Sequence, residues 1–136
     1  RDVAGLPREG ETDSMSRILV VDDEPDPRLV VRIALEGEGH DVIEAASGEE
    51  ALEVLNTEHV ELVLLDIRMP GIDGWEVLRR LKAENRVNGM GVLLVSAFAD
   101  PEVGARATQE GCRGFLAKPF RLAQLVDEVQ RALAAA

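Results

Sequence analysis

Five short apolar runs punctuate this chain, and each is followed by a segment whose apolar residues recur at helical spacing. The runs are 17–21 (RILVV), 41–45 (DVIEA), 62–65 (LVLL), 91–95 (GVLLV) and 113–117 (RGFLA). Near-continuous apolar runs of strand length, bounded by turn residues, fit strands buried on both faces of a parallel sheet. Four helix starts carry recognisable signals: Asp26 before Pro27, Ser47 with Glu50, Asp73 with Glu76, and Asp100 before Pro101. A side-chain oxygen there accepts from an unpaired N–H of the first turn, and proline at the first helical position loses nothing by lacking one. The expected inner faces are Val30, Ile33 and Ala34 in the first helix, Ala51, Leu52, Val54 and Leu55 in the second, and Val77, Leu78 and Leu81 in the third. Leu122, Leu125, Val126, Val129 and Leu133 mark the last. The fourth helix is weak: Gly104 inside it costs about 1 kcal/mol relative to Ala, and Val103 with alanines is its main apolar content.

Strands that alternate with helices through short connections require right-handed crossovers and a parallel sheet covered on both faces. The predicted fold is α/β, a single domain over residues 17–136 with a doubly wound sheet. Two strand orders fit. The flavodoxin-like (βα)5 order 2-1-3-4-5 suits five strands better than a split dinucleotide-binding domain. Residues 1–16, rich in Gly, Glu and Asp without periodicity, are expected to be a flexible tail or linker. The chain begins on Arg1, with Met15 just before the first strand. A piece of a longer protein and a native start at Met15 behind a leader both fit.

Composition narrows the function. At 136 residues, 46% hydrophobic and 30% charged, the chain is long enough for one real core. A net charge of −11 argues against direct nucleic-acid or anionic-membrane binding, which needs clustered Lys and Arg. Cys112 is the only cysteine, so no internal disulfide forms and a reducing, cytoplasmic setting is expected, with Cys112 as core filler. His40 and His59 lack metal-ligand spacing. No apolar run is long enough to span a bilayer, and the first residues do not read as a signal peptide.

The polar residues at the strand ends carry the chemistry. The first strand runs into Asp22-Asp23-Glu24, the third into Asp66, the fourth into Ser96 and the fifth into Lys118. In the order 2-1-3-4-5, strands one and three adjoin at the switch point, the edge where open α/β sheets bind ligands. Asp22 and Asp23 would then stand beside Asp66, with Ser96 and Lys118 on the same rim. Three carboxylates at close range repel, so either a pKa rises or a cation is recruited. Hard oxygen ligands with water positions left over suit Mg²⁺. A carboxylate beside Mg²⁺ is a candidate nucleophile toward phosphorus, giving an aspartyl phosphate. Mg²⁺, the Lys118 ammonium and the Ser96 hydroxyl would each take one phosphoryl oxygen.

With these motifs the chain resembles the receiver domains of bacterial two-component response regulators. The resemblance runs from about Arg17 to Leu133. It rests on Asp22-Asp23, Asp66 with Met69-Pro70-Gly71 and Asp73-Gly74, Ser96-Ala97, Phe115, and Lys118-Pro119-Phe120. It implies that Asp66 accepts a phosphoryl group from a histidine kinase or histidine phosphotransfer protein. It further implies Mg²⁺ ligated by Asp23, Asp66 and the Arg68 backbone carbonyl, Asp22 acting through water, Lys118 pairing with the phosphoryl group, and a cis Lys118–Pro119 bond. Phosphorylation would draw the Ser96 hydroxyl inward and admit the ring of Phe115, which stands at the family's aromatic switch position. The output would be altered partner binding, or homodimerisation, at the face of the fourth helix, fifth strand and fifth helix. The downstream partner would be another protein or a fused effector domain. Arg121 stands where a capping Ser or Asp is frequent, and Arg68 and Phe98 occupy loop positions near the phosphoryl group. Phe98 is expected to shield the acyl phosphate from water.

Three other functions compete. An aspartate-nucleophile phosphohydrolase places a general-acid Asp two residues after the nucleophile, where this chain has Arg68. A nucleotide- or flavin-binding module needs a Gly-rich loop after the first strand, where Asp22-Asp23-Glu24-Pro25 stands. An inert interaction scaffold would not fill every site position with a chemically competent residue. The expected role is therefore that of a phosphoacceptor signalling domain rather than an enzyme.

Overall fold

The computed structural model describes residues 16–87, 89–97 and 101–135, without the side chain of Pro101. Strands β1 (Arg17–Val21), β2 (Asp41–Ala45), β3 (Leu62–Asp66), β4 (Gly91–Ser96) and β5 (Gly114–Ala117) form one parallel sheet. Their order is β2-β1-β3-β4-β5, as the alternation of elements predicts. Between and after them run α1 (Pro25–Gly37), α2 (Gly48–Thr57), α3 (Gly74–Ala83), α4 (Pro101–Gln109) and α5 (Leu122–Ala134).

Strand periodicity divides the core in two. Leu19, Val21, Val63, Leu65 and Leu94 face one side, against Ala51 of α2, Val77, Leu78 and Leu81 of α3, and Ala107 of α4. Ile18, Val20, Leu62, Leu64, Leu93 and Leu116 face the other, against Val31 and Leu35 of α1 and Leu125, Val129 and Ala132 of α5. Every residue of β3 and β4 is buried, as central parallel strands should be.

The caps of α2 and α3 form as expected. The Ser47 side chain accepts from Glu50 N–H, and Asp73 accepts from Glu76 N–H. Glu50 reaches back to Ala46 N–H, one residue before the cap, whereas Glu76 turns to Arg79 and Arg80 instead. Arg121, as anticipated, supplies no side-chain cap to α5; Gln124 accepts from its N–H. The Asp100 cap, the expected shield Phe98, and residues 1–15 of the expected tail lie outside the described residues.

Helix α1 departs from expectation twice. It starts at Pro25 rather than Pro27, with Glu24 as N-cap, so Asp26 sits in the first turn and caps nothing. Its buried residues are Val31 and Leu35, while Val30 (49%) and Ile33 (60%) are exposed. The helix is apolar over most of its circumference, so periodicity alone does not orient it. Leu122 of α5, also expected inside, is 47% exposed, and Ala132 takes a buried place on that helix.

Candidate functional site

The register of the sheet builds the site. Val21 pairs with Leu65 and Ser96 with Ala117, so the residues that follow these strands emerge along one rim. Behind Asp66, the chain turns back so tightly that Gly74 N–H bonds the Ile67 carbonyl at 2.8 Å. A Cβ at position 74 would stand 2.6 Å from the Asp66 carbonyl oxygen and 2.9 Å from Ile67 Cα. Only glycine fits there, and this close approach holds the start of α3 against the end of β3.

Carboxylate oxygens of Asp22, Asp23 and Asp66 lie within 4.8 Å of one another. That is close to the ~4 Å between opposite ligands of one Mg²⁺, so the donor set suits a hard divalent cation. Lys118 Nζ joins the cluster, 3.0 Å from Asp22 Oδ2 and 2.8 Å from Asp66 Oδ2. The Lys118–Pro119 bond is cis, and the Lys118 N–H bonds the Ser96 carbonyl at 2.6 Å. Asp66 also accepts from the Arg68 N–H at 3.2 Å, which seats the Arg68 peptide beside the cluster.

Electrostatics here is a contest between burial and pairing. Asp22 and Asp66 are each only 6% exposed. Burial pushes the Asp66 carboxyl above its usual range, although Lys118 pulls the other way. Burial works against the Lys118 ammonium, but its hydrogen bonds to Asp66 and Asp22 prevail and raise its pKa. Both directions describe a carboxylate cluster short of positive charge.

Ser96 is buried at the end of β4. With Ile67, Arg68, Met69, Asp73, Trp75 and Val103 it lines a cleft of about 580 Å³ that opens toward α4. Phe115 sits partly buried on β5, and a Cβ on Gly104 of α4 would touch its ring at 3.8 Å. Cys112 is partly buried, its thiol pushed up to about 11 by burial, as befits core filler.

The response regulator receiver domain family matches residues 18–130. The chain belongs to that family. It is a receiver domain of two-component signalling. This receiver domain is 32% identical to sporulation initiation phosphotransferase F of Bacillus subtilis, over 86% of this chain and 93% of that protein. It is 35% identical to a probable transcriptional regulator, ycf27, of Porphyridium aerugineum, of whose length it spans 48%. A CheY-like receiver domain from Methanospirillum hungatei superposes with a TM-score of 0.79 at 31% identity, covering 88% of this chain and 94% of that one. TrrA of Thermotoga maritima, solved with Mg²⁺ and BeF, gives 0.76 at 32% identity over 87% and 99%.

Two residues at the rim of the receiver domain were not evident in the sequence. Arg28 of α1 donates to the Asp22 carbonyl at 2.7 Å and to Glu44 of β2 at 2.7 Å. No spacing motif links positions 22, 28 and 44, and only the sheet order brings them together. Among the described residues, no helix is long and apolar enough to cross a membrane.

Proposed function

We propose that this receiver domain takes a phosphoryl group onto Asp66 from a histidine kinase or histidine phosphotransfer protein and uses it to change what its α4–β5–α5 face binds. The observation that carries the reading is the Lys118 ammonium bridging Asp22 and Asp66 in a cluster that also holds Asp23. In this reading Asp23, Asp66 and the Arg68 carbonyl hold Mg²⁺, with Asp22 acting through water, and the ion supplies charge neutralisation at the phosphoryl oxygens. An Asp66 oxygen forms the new O–P bond as the N–P bond of phosphohistidine breaks, and the imidazole leaves with the electron pair. Lys118 turns from its carboxylate partners toward the incoming phosphoryl oxygens, where a fixed ammonium stabilises the charge.

The switch half of the reading starts at Ser96. A phosphoryl group adds acceptor oxygens, and the Ser96 hydroxyl moves to meet one. Phe115, packed under α4, follows into the vacated space. Phe has no hydroxyl, so this coupling works by packing alone. Helix α4 is the element suited to respond, since Gly104 weakens it and Val103 and Ala107 are its main apolar anchors. The altered face would bind a downstream protein, a fused effector domain or a second copy of the chain. The domain acts as a phosphoacceptor, with at most weak self-phosphorylation and self-dephosphorylation.

The test is incubation with Mg²⁺ and a small acyl phosphate, followed by intact mass of wild type and Asp66→Asn. One labile adduct, present only in wild type, is expected. Steady turnover of phosphate esters would instead favour a hydrolase.

A further inference from the structure

We infer that Arg28, braced by Glu44, is a positioning residue for the acidic pocket: it fixes the Asp22–Asp23 peptide and so aims the Asp23 carboxylate. The inference rests on the proposed divalent-cation site. Asp22 is held at every polar atom. Its N–H bonds the Ala45 carbonyl at 3.1 Å, Oδ1 accepts from Glu24 N–H at 2.9 Å, and Oδ2 accepts from Lys118 at 3.0 Å. Its carbonyl accepts from Arg28 Nη1 at 2.7 Å. That carbonyl lies in the same rigid plane as the N–H and Cα of Asp23. Among the described residues no hydrogen bond anchors the Asp23 carboxylate itself, so its reach into the cluster depends on where the preceding peptide places the Asp23 Cα and on the side chain's own torsions.

Arg28 is itself fixed. Its Nε donates to Glu44 Oε1 at 2.7 Å, and the two side chains are only 16% and 23% exposed. The other Glu44 oxygen accepts from Arg32 at 2.8 Å. Glu44 stands opposite Val20 on the neighbouring strand, one residue before the Ala45 carbonyl that takes the Asp22 N–H. The planar guanidinium thus ties a strand to a turn through two different donors, a geometry lysine cannot reproduce.

Coulomb's law and positioning predict opposite signs for this residue. A cation beside the cluster opposes the binding of a second cation, so by charge alone its removal should tighten Mg²⁺ binding. If Arg28 instead orients a ligand, its loss should weaken binding, and partners of metal ligands typically carry about 10–100-fold in affinity.

The experiment titrates Mg²⁺ calorimetrically into the full chain as wild type, Arg28→Met, Arg28→Lys and Glu44→Gln, and measures amide exchange at Asp23 and Glu24 without metal. Arg28→Met should bind Mg²⁺ about tenfold more weakly and exchange faster at those amides, with protection in β3 and β4 unchanged. Arg28→Lys, which keeps the charge, should also bind more weakly, and Glu44→Gln reads the brace should Arg28→Met not fold. Equal or tighter Mg²⁺ binding by the variants overturns the inference, whatever the exchange rates. If wild type binds no Mg²⁺, the cation-site reading falls instead; the exchange rates then decide, unchanged ones overturning Arg28's role and faster ones supporting it.

Discussion

Lys118 Nζ stands 2.8 Å from Asp66 Oδ2, closing a contact between residues 52 positions apart in the chain. The same ammonium touches Asp22, so the ends of β1, β3 and β5 meet at one charge. Lys118→Met should therefore separate two properties. Mg²⁺ should bind more tightly, because a competing cation has gone, while phosphorylation of Asp66 slows by roughly a hundredfold, the usual effect of removing one preorganised donor. Paired Mg²⁺ titrations and phosphorylation time courses check this. Parallel changes in both would count against the role given to Lys118.

The raised pKa of Asp66 fixes the sign of a stability effect. Burial makes its ionised form less favourable in the fold than in the unfolded chain, where the value is 3.8. As pH rises from there through the higher folded value, the protein loses stability, and above that value the loss is complete. Asp66→Asn removes the ionisable group, so it should be more stable than wild type at pH 7, with the gain shrinking as pH falls toward 4. Urea unfolding across that range measures it. Mg²⁺ at ten times its dissociation constant should stabilise wild type by about 1.4 kcal/mol and the Asn variant far less.

Val30 of α1 and Leu122 of α5, both exposed, flank the acidic pocket. Val30 and Leu122 line a groove of about 610 Å³ whose walls also include Asp66 and Lys118. On the proposed reading a phosphohistidine donor docks over this groove, where apolar surface beside a reactive centre favours a protein partner over solvent. Val30→Glu should slow transfer from a phosphorylated protein donor by tenfold or more, since burying an unpaired charge is unfavourable. Its reaction with a small acyl phosphate should be unchanged. Equal slowing with both donors would place the defect in the site, not in docking.

Trp75 reports on α4. The Arg106 guanidinium lies 3.9 Å from its ring centroid, and Lys82 of α3 bonds both the carbonyl and the carboxylate of Glu110, just past the end of α4. These two contacts clasp α3 to α4, and Trp75 itself lines the cleft that Ser96 also lines. Arg106→Gln should lower stability by about 0.5–1 kcal/mol and change the Trp75 emission. Phosphorylation should change that emission in wild type and do so less in Arg106→Gln. Fluorescence of the single tryptophan reads both.

What the chain discloses in one dimension follows from how local each feature is. The five strands and the Ser47 and Asp73 caps depend on neighbouring residues only, and all were readable. The convergence of Asp22, Asp23, Asp66 and Lys118 was readable too, because residues at the carboxyl ends of parallel strands have one rim to share. The orientation of α1 was not: with Leu29, Val30, Val31, Ile33, Ala34 and Leu35 all apolar, several faces satisfy helical periodicity. Its start was obscured by prolines at both 25 and 27. Arg28 and Glu44 were out of reach for another reason, since their meeting depends on the pairing of β1 with β2.

The most direct measurement of the central claim follows phosphorylation with a small acyl phosphate by intact mass, with and without Mg²⁺, in wild type and Asp66→Asn. A single hydroxylamine-labile phosphoryl group that requires both Mg²⁺ and Asp66 is the predicted result. An adduct that persists in Asp66→Asn, or one that forms equally well in excess chelator, would contradict it.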